Sequence, residues 1–330
     1  MNLRKHRIYY FDNLKLLLII LVVIGHTSEP LISSYNNIKV AYMFIYSFHM
    51  PLFAFVSGYF SKSISDSKKF SNKINNILIP YIIFQLLYCI FNIYVLKVPN
   101  FKITLLYPYW SMWYLLSLFI WSIMLPYFSK IKHPILIAFV ISIIGGYDDS
   151  VGYYLSLSRT ITFFPYFLIG YFCKKEYIDI LRTRIRKINA ILGLLIVWFF
   201  IDLISPKIDY RWFYGSYPYS QLNGLGYPKF MIGILMYILA IITSICVLDL
   251  IPSKKLFFTN LGSRTMSVYV LHGFIIKLLD KYNFFSYLNS FTSKISIILI
   301  SILIVVIFSS KKISKVTKVI AYPKMLKKVS

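Results

Sequence analysis

Residues Asp12–Pro30 read DNLKLLLIILVVIGHTSEP. Between its polar ends this stretch is Leu, Ile and Val, long enough to cross hydrocarbon as one helix at 1.5 Å per residue. Lys15 and His26 are separated by almost three whole turns, so they point the same way, and Asp12 and Glu29 fall within about 60° of that line. One face therefore collects every ionisable group of the segment. Such a stripe is costly in hydrocarbon unless it lines a cavity or a partner helix, and ionisable groups kept inside a membrane usually mark function. A polar seam between packed helices is the plainer alternative.

The whole chain extends this pattern. Of 330 residues, 58% are hydrophobic and 14% charged, more apolar surface than a soluble fold can hide, which makes this a polytopic membrane protein. Apolar segments occur at about 14–31, 39–61, 74–96, 110–128, 134–147, 160–173, 188–205, 229–251, 265–280 and 293–310, so the expected fold is an all-α bundle of about ten transmembrane helices. The fifth, sixth and ninth are short. No linker or repeat divides residues 1–330, which read as a single transmembrane domain ending in a basic tail, 311–330. The net charge is +25, but the basic residues sit in short loops, as topology signals and anionic-lipid contacts do, and not in a groove for nucleic acid. With both termini cytoplasmic most of them face inward, including Lys62, Lys68, Lys69, Lys73, Lys174 and the Arg182–Lys187 run. The first segment follows Arg4, Lys5 and Arg7 but is too long for a signal peptide, so it is read as retained. Cys89, Cys173 and Cys246 lie in or beside apolar segments and make neither a disulfide framework nor a metal site.

Three histidines, His26, His49 and His272, fall inside apolar segments at similar central-to-outer depths. Glu29, three residues after His26, is placed to accept an imidazole N–H, fixing the tautomer and raising the basicity of the other nitrogen. Base plus orienter is the arrangement of acyl-transfer catalysis. There is no HExxH metal spacing, no GxSxG elbow and no GxGxxG loop, and no metal is expected. On the outer side, KIDYRWFYGSYPYSQLNGLGYPK (Lys207–Lys229) is dense in aromatic rings. It reads either as an interfacial belt or as a sugar platform, with Trp212 and Tyr214 stacking on pyranoses while Asp209, Arg211, Gln221 and Asn223 bond hydroxyls.

Six stretches in order, YYFDNLKLLLIILVVIGHTSEP, YSFHMPLFAFVSGYF (Tyr46–Phe60), LIPYIIFQ (Leu78–Gln85), WYLLSLFIW (Trp113–Trp121), SRTITFFPYFLIGYF (Ser158–Phe172) and LGSRTMSVYVLHGF (Leu261–Phe274), resemble the acyltransferase-3 family of integral-membrane acyltransferases, in particular its fucose 4-O-acetylase-like branch. The resemblance implies ten membrane helices in the bacterial plasma membrane and transfer of an acyl group, usually acetyl from cytoplasmic acetyl-CoA, to carbohydrate hydroxyls. The acceptor would be capsule, exopolysaccharide or a lipid-linked oligosaccharide precursor. It makes His26 the expected catalytic residue. Lys15 stands where many members carry arginine, which keeps the charge and loses the bidentate fork. Lys73 stands in for an arginine-rich element before the third helix. Ser57 and Gly58 match a Ser-Gly-aromatic turn, Arg159 a Ser-Arg-Thr element, and His272 a late Tyr-x-x-His.

The mechanism expected from both readings has acetyl-CoA docking through Lys15, Lys73, Arg182, Arg184 and Arg186, with His26, oriented by Glu29, acting as general base or transient acyl carrier. Ser57, His49, Arg159 and His272 are the candidates for oxyanion or acceptor contacts. The competing readings are a glycan flippase or transporter and a polysaccharide polymerase, neither dependent on acetyl-CoA, and a transferase of succinyl instead of acetyl.

Overall fold

The structure is a computed structural model that describes residues 9–63, 74–288 and 290–323, and among these there are only helices and loops. All ten apolar segments fall on helices, within a few residues of the expected ends. Among the described residues, seven helical stretches are long and apolar enough to cross a membrane: Tyr9–Leu31, Asn36–Lys62, Ile74–Leu96, Trp110–Phe128, Lys187–Ile204, Lys229–Leu250 and Phe291–Phe308. The other three segments form the shorter helices Pro134–Gly145, Leu157–Phe172 and Thr265–Lys281. The first of these reaches only about 18 Å at 1.5 Å per residue. The chain is thus an all-helical membrane bundle in which length and composition support seven crossings, where the sequence reading counts ten.

In chain order the helices are α1 (Tyr9–Ser28), α2 (Asn36–Tyr59), α3 (Ile79–Ile90, with π-helical turns on either side), α4 (Trp113–Phe128), α5 (Pro134–Gly145) and α6 (Leu157–Phe172). There follow α7 (Lys175–Arg184), α8 (Lys187–Ile204), α9 (Lys229–Leu250), α10 (Thr265–Lys281), α11 (Ser290–Phe308) and α12 (Lys311–Ala321). The pair α1 and α2 forms the centre: α1 packs on α2, α10 and α11, and α2 on α6, α8 and α9.

Two glycines set the closest crossing. A β-carbon on Gly58 would stand 1.9 Å from the Phe167 carbonyl oxygen, and one on Gly170 1.9 Å from that of Phe55. Only residues without side chains let α2 and α6 approach this closely, the small-residue packing on which membrane helices depend. This corrects the reading of Ser57-Gly58 as a turn, because α2 continues through both to Tyr59. Lys174–Lys187 is likewise more than a basic loop. Its middle winds into α7, which buries Ile178 against Leu248 and Ile251.

At the start of α1, Asn13 donates to the carbonyls of Pro252 (2.8 Å) and Lys254 (3.0 Å) and accepts from the Thr259 hydroxyl at 2.6 Å. A β-carbon on Gly262 would lie 1.8 Å from the Asp12 carbonyl. The polar end of the opening stretch therefore anchors the loop that leads into α10, and α10 carries His272 to the centre. The described part of the basic tail is α12, which buries Ser314, Thr317 and Ala321.

Candidate active site

His26 lies in the last turn of α1, where the hydroxyls of Thr27 and Ser28 donate back to the Val23 and Ile24 carbonyls at 2.8 and 2.7 Å. Pro30 cannot continue the α-helical ladder, and Glu29–Leu31 tightens into a 3₁₀ turn. The Glu29 carboxylate then stands 3.7 Å from His26 Nδ1, and the Tyr46 hydroxyl 3.5 Å from the same nitrogen. The first distance is ion-pair range and too long for a hydrogen bond; catalytic contacts are often this loose before substrate binds. Both partners address Nδ1, which leaves Nε2 for a reactant.

Trp110 closes the arrangement. Its ring centroid is 4.1 Å from that of His26, and its Nε1 donates to Glu29 Oε2 at 3.3 Å. Its φ is +44°, a left-handed conformation uncommon for a bulky side chain and the sort of strain that collects at working sites. Gln85 of α3 helps to impose it: its side chain accepts from Tyr109 N at 2.8 Å and donates to the carbonyls of Thr104 (2.8 Å) and Tyr107 (3.1 Å). Lys277 of α10 sits 4.8 Å over the Trp110 ring.

The other two intramembrane histidines gather here. His272 is fully buried and stacks on His26 with centroids 5.3 Å apart; its Nδ1 donates to the Val268 carbonyl at 3.0 Å, so its Nε2 is an acceptor, without a partner among the described residues. His49 donates from Nδ1 to the Ile45 carbonyl at 2.8 Å and packs its ring 4.6 Å from that of Tyr46.

Two cavities meet at His26. The first, about 190 Å³, has Ile19, Val22 and Phe53 in its walls and Lys15 at its rim. Lys15 is paired with Asp12 at 2.9 Å. Ser57 lines the same cavity and bonds the Tyr114 hydroxyl at 2.7 Å, which itself donates to the Phe53 carbonyl at 2.8 Å. The second cavity, about 170 Å³, contains Glu29, His49, Arg159, Tyr153, Tyr214 and Tyr217. His26, Met50 and Trp113 line both. Arg159 enters from the first turn of α6, after Leu155 and Ser156 turn the chain through left-handed backbone (φ +50° and +53°).

The remaining candidates lie elsewhere. Trp212 is buried and donates to the Asn223 carbonyl at 2.7 Å, a core contact of the loop 207–229. Arg211 grips Asp209 through Nη2 at 2.6 Å and Nε at 2.9 Å. Burial raises the Asp209 pKa, but the hydrogen bonds from Arg211 outweigh it and hold the carboxyl below its usual range, while the Arg211 pKa is raised by the same bonds. Of the six residues assigned to sugar contact, only Tyr214 lines either cavity at His26. Arg182 donates to Ser253 Oγ and lies 5.1 Å over the Tyr10 ring, whereas Arg184 and Arg186 are exposed. Lys73, with Lys68 and Lys69, lies outside the described residues. Trp110, Trp113, Tyr46 and Tyr217 join the site without having been singled out in the sequence. Aromatic residues at segment ends read as an interfacial belt, and only the polar Gln85 inside an apolar run marks the scaffold behind them.

Residues 8–310 match the family model for the acyltransferase domain of the acyltransferase-3 family. No curated protein and no solved structure matches the chain.

Proposed function

The chain belongs to the acyltransferase-3 family and is a membrane acyltransferase, and on that footing we propose that it moves acetyl from cytoplasmic acetyl-CoA to a hydroxyl of a cell-surface or exported polysaccharide, or of its lipid-linked precursor. The observation that carries this reading is that His26 lines both cavities. The apolar cavity suits the arm of the donor and the aromatic, polar one suits a sugar, so the imidazole is where thioester and alcohol would meet. Proximity of this kind supplies a large part of a transfer barrier.

In the proposed step the sugar hydroxyl gives its proton to His26 Nε2 and its oxygen attacks the thioester carbonyl carbon. The C–S bond then breaks, and the imidazolium returns the proton to the CoA thiolate. In the alternative variant Nε2 attacks the thioester carbon, the C–S bond breaks and CoA leaves as the thiolate; the sugar oxygen then takes the acetyl from the acetyl-imidazolium, which returns neutral His26, while the hydroxyl proton passes to the thiolate. Glu29, backed by Trp110, holds the ring and its charged form. Ser57 is positioned to act on the donor side, and His49 and Arg159 on the acceptor side. The transport and polymerase alternatives give an acyltransferase domain no role. Acetyl is favoured over succinyl because the wall beside His26 is Ile19, Val22 and Phe53, and Lys15, the cation of that cavity, already has Asp12.

The branch resemblance, ten crossings, cytoplasmic termini and a bacterial plasma-membrane location complete the proposal. Its test is His26→Ala, with insertion followed by immunoblot and O-acetyl groups on the surface glycan by NMR. The expected result is normal insertion without O-acetyl signals; acetylation retained in the variant would overturn the role of His26.

A further inference from the structure

Four cations of the described residues lie in or near the cavities, Lys15, Arg159, Arg211 and Lys277, the last over the Trp110 ring, and the protein treats them differently. Lys15 has Asp12 at 2.9 Å and Arg211 has Asp209 at 2.6 Å. Arg159, half-buried, has no carboxylate partner among the described residues. Its guanidinium lies instead against two aromatic rings, 5.1 Å from that of Trp113 and 5.2 Å from that of Tyr153, and its Nε donates to the Tyr214 carbonyl at 3.4 Å. The two rings stabilise the cation. They do not satisfy the paired Nη donors at the edge, which match a carboxylate or phosphate two-on-two. Glu29, in the same cavity, is already engaged by His26 and Trp110. A cation so placed is costly to bury unless an anion comes to it.

We infer that the acyl acceptor is an acidic glycan, whose carboxylate or phosphate is bound by the Nη edge of Arg159 while a neighbouring hydroxyl faces His26. The inference rests on the second cavity being the acceptor side, and it selects among acceptors that the proposed function leaves open. A uronic acid carboxylate and a glycan phosphate satisfy the same fork.

The test uses the full chain, purified in nanodiscs, and three matched probes: methyl β-glucoside, methyl β-glucuronide and methyl β-glucoside 6-phosphate. Binding is followed by quenching of tryptophan fluorescence, with Trp113 as the nearby reporter. At least one anionic probe is expected to bind about tenfold more tightly than the neutral one, and the stronger of the two identifies the anion's source. Arg159→Gln should bring all three within about twofold of each other by weakening the anionic probes. Should that variant not fold, Arg159→Lys keeps the charge, loses the fork and should retain only part of the preference. Equal binding of the three probes to the unaltered chain, a preference that survives in Arg159→Gln or at full strength in Arg159→Lys, or no binding of any probe would overturn the inference. Binding needs no turnover, so the same titration on His26→Ala keeps the two readings apart. A preserved preference there, whatever becomes of acetyl transfer, leaves the Arg159 site standing.

Discussion

The two cavities at His26 differ in how they handle charge and in what builds them. The first cavity is walled by residues of α1, α2, α4 and α10 and by Ser111, and its one cation among the described residues is paired with a carboxylate on the same helix. The second cavity combines the middle of α2, the starts of α4 and α6 and the segments around Trp110, Tyr153, Tyr214 and Tyr217, with Arg159 against aromatic rings and without a carboxylate partner among the described residues. The first fits a ligand that needs a smooth apolar passage; the second fits one that must be recognised. A catalyst joining a common donor to a particular acceptor needs that asymmetry, since specificity comes from polar groups left unpaired when the wrong ligand binds.

Substitutions at the junction should affect both sides, and those in the walls only one. Glu29→Gln removes the anion facing His26 and should slow transfer about a hundredfold with both substrates still binding; an unchanged kcat would reduce Glu29 to a packing role. Val22→Trp fills the donor side and should raise KM for acetyl-CoA about tenfold while leaving KM for the acceptor alone. Equal shifts in both would mean that the cavities are not separate. Gly58→Ala forces α2, which lines both cavities, from α6, which lines the second, and should cost about 1–3 kcal/mol in thermal unfolding with little substrate discrimination. The smallest effect belongs to the loop 207–229. Asp209 has its carboxyl pKa depressed by Arg211, so its contribution is present above the usual value of 3.8 and disappears as pH falls through the lower folded value. Loop backbone around residues 209–217 should exchange hydrogen faster in strong acid, and Asp209→Asn should remove that dependence.

How much of this was legible in the sequence follows the same division. Helical periodicity put Lys15, His26 and Glu29 on one face of one helix, and hydrophobicity placed ten helical segments, because both are local properties of the chain. The stacking of His272 on His26 depends on Asn13 and Gly262 anchoring the approach to α10, which no local pattern reports. Trp110 was hidden for a different reason. Its left-handed backbone is imposed through contacts from Gln85, twenty-five residues earlier, and a tryptophan before an apolar run looks like any interfacial aromatic. Trp212, taken as a stacking platform, is a core residue of its loop, since ring density by itself does not say which rings face inward.

The central claim is that one imidazole serves two compartments, and sided proteoliposomes test it most directly. With radiolabelled acetyl-CoA enclosed on one side and the acceptor glycan supplied only on the other, the unaltered chain should place label on the glycan and His26→Ala should place none. Equal labelling by both chains would contradict the account, as would label appearing only when donor and acceptor share a compartment.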